Sequence, residues 1–455
     1  MARAKKEAAL TPEERLQAAL VPDWEWPYKL PENWCWTRHN SIMDIVGGAQ
    51  PEKAFFIREP KEGYVQLYQT RDYGENPVPV YIPQKYATKT TDEGDILLAR
   101  YGGSLGKVFR AHKGAYNVAL AKVIILYPEV VDDEFLYLYY YSHFYQDFCI
   151  KAGYGRSAQA GFNKSDLNEL LFPLPPLAEQ QRIVDRIESL FAKLDEAKEK
   201  AQAVVDSFET RKAAILHKAF TGELTAKWRR THGLSLDTWK EVAADSLFEY
   251  VTSGSRGWAK YYDESGAVFI RMGNLDHGTI ELDFSDIQHV KLPNKAEGQR
   301  SRIRKNDILI SITADVGMVG LVRNDDFEGY INQHIALARP VMSESAEFIA
   351  WYLVSDIGLK QMQEKQRGAT KVGLSLNDIR ALQLKIPLIE EQNEILKVIK
   401  MWIGKEQQSQ EAAEAVLDQI DLMKKSILAR AFRGELGTND PNEESAVELL
   451  KRTIL

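Results

Sequence analysis

At 455 residues, 44% hydrophobic and 27% charged, the chain is too long for one compact core and too apolar for a disordered one, so two to four globular domains are expected. No apolar run reaches the roughly 18 residues that span a bilayer, the charged start MARAKKEAALTPEERLQ lacks the apolar core of a secretory signal, and Cys35 and Cys149 stand in no disulfide framework or metal-ligand spacing; a cytoplasmic, metal-free protein is expected. The net charge of −7 disfavours a lone, non-specific nucleic-acid binder, yet residues 27–176 hold 16 basic against 17 acidic side chains and residues 226–387 hold 21 against 21, so a DNA-binding face would have to come from clustered rather than net charge.

In chain order, residues 1–26 form an extension in which Thr11-Pro12-Glu13-Glu14 spells a capping box with proline at the first helical position. The short helix it starts is either a docking element or a neutral surface helix. Residues 27–176 make a first globular domain. It opens on Trp34-Cys35-Trp36-Thr37, continues through the loop Gly47-Gly48-Ala49-Gln50, enters a buried strand at Gly94-Asp95-Ile96-Leu97-Leu98, and turns helical at Phe135–Tyr139. Residues 177–225 predict one long helix ending near Gly222. Ile183, Ile187, Leu190, Leu194, Ala197, Ala201, Val204 and Phe208 alternate steps of four and three along it, the a/d seam of a coiled coil.

Residues 226–387 form a second globular domain with the same signals: Trp239-Lys240-Glu241-Val242, Ser253-Gly254-Ser255-Arg256, Asp307-Ile308-Leu309-Ile310 and a helical Phe348–Tyr352. Residues 388–437 give the second long helix, its expected seam running Ile395, Ile399, Trp402, Glu406, Ser409, Ala413, Val416, Ile420, Met423 and Ile427, with Gly404 weakening helicity. Residues 438–455 are an acidic tail.

The halves are copies. Asp95-Ile96-Leu97-Leu98 recurs 212 residues later as Asp307-Ile308-Leu309-Ile310, Pro175-x-Leu177-x-Glu179-Gln180 as Pro387-x-Ile389-x-Glu391-Gln392, and Ile215-Leu216-x-x-Ala219-Phe220-x-Gly222-Glu223-Leu224 as Ile427-Leu428-x-x-Ala431-Phe432-x-Gly434-Glu435-Leu436, each at the same offset. So long a period is a duplicated domain plus helix, not a solenoid repeat. The expected architecture is α/β (α+β): two globular domains related by pseudo-two-fold symmetry and joined by two long antiparallel coiled-coil helices. A helix of 45 residues reaches roughly 70 Å, and pairing the two stripes would present two heads to two DNA half-sites.

No catalytic string is present. Tyr101-Gly102-Gly103-Ser104-Leu105-Gly106-Lys107-Val108 has tyrosine where a P-loop starts with glycine and valine after its lysine, so it reads as a glycine-rich turn. Asp132-Asp133 and Asp325-Asp326 lack a nuclease-type Glu-x-Lys, and His334 stands where the first copy has Ala119, so it is not a shared ligand. DNA contact has better candidates, because base and phosphate recognition draw on Arg, Lys, Asn, Gln, Ser, Thr and Tyr. Lys151, Tyr154, Arg156, Ser157, Gln159, Asn163 and Lys164 cluster in one glycine-rich stretch, and Lys365, Arg367, Thr370, Lys371 and Ser375 in its copy. Gln69, Thr70 and Arg71 follow a strand, as Arg271 and Asn274 do in the second half, and Arg302 and Arg304 lie in a basic run.

The block Pro175-Pro176-Leu177-Ala178-Glu179-Gln180-Gln181-Arg182-Ile183-Val184 with its heptad helix and Ala219-Phe220-x-Gly222-Glu223-Leu224 ending resembles the central conserved region of type I restriction-modification specificity subunits. The copy at 387–436 is similar to their distal conserved region. Gly94-Asp95-Ile96-Leu97, Asn332-Gln333-His334, Gly161–Leu167 and Gly373–Ile379 add to the likeness, which covers about residues 30–437. The resemblance implies a non-catalytic subunit: two target-recognition domains each read half of a bipartite asymmetric double-stranded DNA site, and the helices set the spacer and dock two methyltransferase subunits. Restriction/translocase subunits would join them. No cofactor is expected on this chain; S-adenosylmethionine, ATP and Mg are expected in the partners. The N-terminal extension and the tail depart from the family pattern. A fused methyltransferase and a coiled-coil scaffold without a DNA role are the competing readings, disfavoured by the missing catalytic strings and by the paired α/β domains.

Overall fold

A computed structural model of the chain describes residues 11–154, 161–254, 256–292, 299–366 and 373–455. Its elements begin with helix α1 (Pro12–Ala19), strand β1 (Cys35–Arg38), α2 (His39–Ile42), β2 (Met43–Gly47), β3 (Tyr64–Tyr68), β4 (Tyr81–Pro83), β5 (Thr90–Thr91), β6 (Ile96–Ala99), β7 (Val108–Arg110), β8 (Gly114–Tyr116) and β9 (Leu120–Ile125). Next come α3 (Asp133–Tyr139), α4 (His143–Tyr154), β10 (Leu171–Leu174), α5 (Leu177–Asp206), α6 (Phe208–Phe220) and α7 (Ala226–Thr231). The second half carries β11 (Lys240–Ala243), β12 (Phe248–Ser253), β13 (Tyr262–Asp263), β14 (Ala267–Ile270), β15 (Gln288–Val290), β16 (Ile308–Ser311), β17 (Val319–Leu321), β18 (Gly329–Ile331) and β19 (Ile335–Pro340). It closes with α8 (Ala346–Val354), α9 (Asp356–Lys365), α10 (Leu376–Arg380), β20 (Gln383–Ile386), α11 (Ile389–Ala431) and α12 (Ala446–Ile454). Among the described residues no helix is long and apolar enough to cross a membrane.

The chain divides into two compact units, Met1–Glu199 with Leu417–Leu455, and Lys200–Val416. Their sheets are copies. The first unit holds an antiparallel sheet β2-β9-β6-β7, a mixed sheet β4-β3-β8-β5 and the pair β1-β10; the second holds β12-β19-β16-β17, β13-β15-β14-β18 and β11-β20. β3 runs parallel to β8 as β14 runs parallel to β18. Where β5 flanks β8 in the first unit, a bridge between Arg302 and Tyr330 flanks β18 in the second.

The repeated Asp-Ile-Leu string has a structural reason. Gly94 and Asn306 both adopt left-handed φ, +86° and +71°, a conformation that glycine and asparagine tolerate best. The following aspartate then caps the turn: Asp95 Oδ2 accepts the Asp92 N–H at 2.8 Å and Asp307 Oδ2 the Arg304 N–H at 2.7 Å. Each turn feeds a wholly buried strand, β6 or β16.

The long helices behave partly as expected. The first is interrupted at Ser207 between α5 and α6, whereas α11 runs 43 residues straight through Gly404. Helix α5 and the first residue of α6 bury or half-bury every expected seam position. In α11 four of the ten expected seam positions are one residue out. Trp402, Ser409, Val416 and Met423 are exposed, and the covered face runs Ile395, Ile399, Ile403, Glu406, Gln410, Ala413, Leu417, Ile420 and Lys424. Adjacent apolar pairs such as Trp402-Ile403 and Val416-Leu417 make both registers look alike in sequence. Packing resolves them, leaving Trp402 outside under the Lys405 ammonium, 5.0 Å from its ring.

Within each unit ion pairs join the two chain segments in opposite order. In the second, Arg211 pairs with Glu406 at 2.5 Å and Arg229, further on, with Glu391, further back, at 2.5 Å. In the first, Asp195 meets Lys424 at 2.5 Å and Arg182 meets Glu443 at 2.7 Å. The Glu-Gln of the repeated Pro-x-Leu/Ile-x-Glu-Gln string fastens each helix start to its domain. Glu179 accepts the Trp34 indole N–H at 2.7 Å, Glu391 the Trp239 indole N–H at 3.0 Å, and the Gln180 and Gln392 amides donate to the Pro175 and Pro387 carbonyls.

Candidate nucleic-acid interface

In each unit one end of both sheets gathers the loops. β2, β3, β6 and β8 all end there, and β9 starts there after the turn Asn117-Val118-Ala119. Cross-strand partners mark that end: Gly47 with Ala121, Ala99 with Leu120, Tyr68 with Tyr116. Backbone hydrogen bonds lock the loops to the turn: Asn117 N to Tyr68 O at 3.1 Å, Gly48 N to Leu120 O at 3.0 Å, Arg100 N to Ala119 O at 2.9 Å and Phe162 N to Arg100 O at 3.2 Å. The second unit repeats each of these around Asn332-Gln333-His334: Asn332 N to Ile270 O at 3.0 Å, Gly254 N to Ile335 O at 3.3 Å, Ile312 N to His334 O at 2.9 Å and Leu374 N to Ile312 O at 2.8 Å.

Close backbone approach explains the glycines of these loops. A Cβ on Gly48 would lie 2.0 Å from the Asn117 carbonyl oxygen, and one on Gly254 2.1 Å from that of Asn332; no side chain fits. Gly161 meets the Arg100 carbonyl and the Tyr101 ring in the same way.

Several expected DNA-binding residues converge at this end. Gln69, Thr70 and Arg71 follow β3 directly, with Thr70 and Arg71 in a 3-10 turn and Arg71 exposed. Asn163 and Lys164 reach it through the bridge of Tyr101 to Gly161. Asn163 also accepts the Tyr101 hydroxyl at 3.2 Å, and Lys164 forms an ion pair with Asp44 at 2.6 Å. Arg271 follows β14 at the equivalent place, paired with Asp286 at 2.8 Å. Ser375 arrives through the bridge of Thr313 to Gly373, but its hydroxyl caps α10, accepting the Asp378 N–H at 3.2 Å and donating to that carboxylate at 2.6 Å.

Other expectations meet a different placement. Lys151 and Tyr154 form the last turn of α4 and Lys365 the end of α9, so they are helical rather than part of a loop. Asn274 is buried, and its amide is spent on the Asp283 and Asp286 carbonyls at 2.8 and 3.0 Å; it holds a turn and offers nothing outward. Arg302 and Arg304 are exposed, but Arg304 stands at the Asn306–Asp307 turn, the opposite end of β16 from the gathered loops. Arg156, Ser157, Gln159, Arg367, Thr370 and Lys371 lie outside the described residues. Gly161 and Gly373, which follow them, bridge to Tyr101 and Thr313 at the gathered end.

Sequence reasoning missed the supports. Asn40 Nδ2 donates to the Lys164 carbonyl at 2.7 Å and to Asn168 at 2.6 Å, bracing the loop from beneath. Its neighbour His39 is fully buried against the Tyr140 hydroxyl at 2.7 Å, and burial pulls its pKa down to about 4, against smaller opposing effects of Asn40 and Asp44. Sequence reasoning also missed Arg100, whose guanidinium lies 4.8 Å over the Tyr101 ring. Of the aspartate pairs, Asp132 caps α3 through the Phe135 N–H at 2.8 Å and Asp133 pairs with Arg110.

Reactive groups are scarce. Burial pushes the Cys35 and Cys149 thiols up to about 12, so both stay protonated and unreactive. Among the described residues no group of three or more His, Cys, Asp or Glu side chains could hold a metal ion.

Two stretches, residues 31–205 and 237–414, match the family model described as the type I restriction modification DNA specificity domain. The chain is 25% identical over 428 residues to the type I restriction enzyme EcoBI specificity subunit of Escherichia coli, covering 89% of this chain and 86% of that one. It is 24% identical over 431 residues to the EcoKI specificity subunit of Escherichia coli (strain K12), covering 90% of each. Its fold is similar to the crystal structure of the HsdS subunit from Thermoanaerobacter tengcongensis, with a TM-score of 0.58 at 19% identity, across 90% of this chain and 99% of that one. With both halves of a duplicated fold matched, the chain belongs to the family of type I restriction-modification DNA specificity subunits.

Proposed function

We propose that this chain is the non-catalytic subunit that supplies DNA sequence specificity to a type I restriction-modification complex in the cytoplasm. Each unit reads one half of a bipartite, asymmetric site in double-stranded DNA with its gathered loops. The carrying observation is the duplicated loop end: one backbone framework, locked by matching hydrogen bonds, presents different side chains in the two units. In the first, the readers are Gln69, Thr70, Arg71, Asn163, Lys164 and the stretch from Lys151 and Tyr154 through Arg156, Ser157 and Gln159. In the second they are Arg271 and the stretch from Lys365 through Arg367, Thr370 and Lys371 to Ser375. Phosphate contacts from the cations would set register and the amides and guanidinia would read bases. Arg302 serves as a flanking phosphate contact.

The same reading gives the long helices two tasks, spacing the half-sites and docking two methyltransferase subunits. Met401 and Trp402, and further along α11 Leu422 and Met423, are exposed large apolar side chains, of the aromatic and methionine type enriched at protein interfaces. S-adenosylmethionine, ATP and Mg belong to the methyltransferase and restriction partners. Methylome sequencing of a host with and without this gene tests the proposal. A bipartite adenine-methylation motif should vanish on deletion, and an unchanged methylome overturns the reading.

A further inference from the structure

Resting on that reading, we infer that Arg100 in the first unit and Gln333 with His334 in the second are specificity-determining residues on neighbouring positions of the same strand-end and turn, each setting the base preference of its own half-site. The equivalence comes from the backbone. Arg100 N donates to Ala119 O and Ile312 N to His334 O, both at 2.9 Å. Asn117 Oδ1 accepts the Ala119 N–H at 3.2 Å, as Asn332 Oδ1 accepts the His334 N–H at 3.0 Å. Arg100 therefore matches Ile312, and the Val118-Ala119 pair matches Gln333-His334.

On this shared framework the polar side chains have changed sides. In the first unit the strand end supplies the arginine, and the turn carries only Val118 and Ala119. In the second the strand end supplies Ile312, and the turn carries an amide and an imidazole. Each unit keeps one polar reader at the spot while changing its chemistry, as two heads reading different sequences require.

Both readers are aimed by local bonds and keep groups to spare. Arg100 Nη2 is anchored on the Val118 carbonyl at 2.9 Å. Its Nε, and the Gln69 Nε2 beside the same turn, find no hydrogen-bond partner among the described residues. Both atoms are shielded from solvent, so contact with a base edge falls to the rest of the Arg100 guanidinium. In the second unit the Gln333 amide Nε2 lies 2.8 Å from His334 Nε2, and Thr313 Oγ1 lies 2.5 Å from His334 Nδ1. That chain fixes the Gln333 amide, whose oxygen has no hydrogen-bond partner among the described residues. A guanidinium complements the two acceptors of a guanine edge, and an amide the donor and acceptor of an adenine edge. Both ring nitrogens of His334 are already engaged, by Gln333 and Thr313, so the amide is left as the reader and a base edge is the ligand class.

The test uses the full chain co-expressed with the methyltransferase of its own system in a host free of adenine methylation, read by methylome sequencing. Arg100→Ala should relax one or more positions in one half of the motif, with discrimination falling about 10- to 100-fold, and leave the other half intact. Gln333→Ala and His334→Ala should relax only the opposite half. Arg100→Gln, which keeps an anchoring amide, should change the preferred base rather than abolish modification, and the melting temperature of each purified variant controls for folding. Uniform loss of methylation without a change of motif, relaxation in both halves at once, or an unaltered motif from folded variants overturns the inference. A wild-type chain that directs no bipartite motif would instead sink the functional reading on which it rests.

Discussion

Glu391 has no exposed surface, yet it accepts hydrogen bonds from Trp239, Thr225 and Arg229, at 3.0, 2.7 and 2.5 Å. Removing one partner of such a buried pair strands the other charge, at a cost of about 3–5 kcal/mol. Glu391→Ala should therefore lower the stability of the second unit by that amount in denaturant titrations, and Glu391→Gln, which keeps an acceptor, by less. His39 gives the first unit a pH dependence. Its folded pKa of about 4 lies below its ordinary 6.5, so between those values the unfolded chain binds more protons, and the imidazole's contribution is lost as pH falls from 6.5 to 4 and is constant below that. The full extent is roughly 3 kcal/mol. The stability difference between wild type and His39→Gln should shrink across that window, and a difference that does not vary with pH would refute the assignment. At this scale the sequence was legible where a residue does local work, as in the Thr11–Glu14 capping box, which forms at 2.8 and 3.2 Å. It was silent on Arg100 and Asn40, because their partners lie 18 and 124 residues away.

Tail and extension, the two segments outside the family pattern, become one element in the first unit. Helix α12 buries Ala446, Leu450 and Ile454 in the same core cluster as Ala19 of α1. The segment before it makes the bonds that α7 and its N-cap Thr225 make in the second unit: Thr438 and Asn439 donate to Glu179 at 3.3 and 2.8 Å, as Thr225 and Arg229 donate to Glu391. Truncation after Gly437 removes Leu450 and Ile454 from that core, each worth about 1.5–3 kcal/mol, together with the Arg182–Glu443 pair. A loss of at least about 3 kcal/mol is expected, read as faster amide exchange in α1 and β1. Glu443→Gln alone should cost about 1 kcal/mol or less, because Arg182 is partly exposed. Heptad spacing made helix existence legible, but not which of two adjacent apolar residues faces inward; that choice belongs to the partner surface, as the one-residue shift at Trp402 shows.

At the scale of the whole chain, the two copies of the helix-end string serve the domain that each unit contains rather than the domain that precedes them in sequence. Phe220 follows the first globular domain, yet its ring packs against Phe348 and Tyr352 at 5.3 and 5.2 Å in the second unit. Phe432 ends the second long helix and packs against Phe135 and Tyr139 at 5.1 and 5.6 Å in the first. The 212-residue offset made the duplication legible, but identical strings could not say which domain each one completes, since that depends on contacts hundreds of residues apart. The arrangement makes a crossed prediction. Both phenylalanines are almost fully buried, so truncation to alanine should cost about 3–5 kcal/mol. Phe220→Ala should speed hydrogen exchange in β16 and β19 while β6 and β9 keep their protection, and Phe432→Ala should do the reverse. If Phe220→Ala instead loosened β6 and β9, each helix end would be stabilising the domain before it in sequence, and the division into units described above would be wrong.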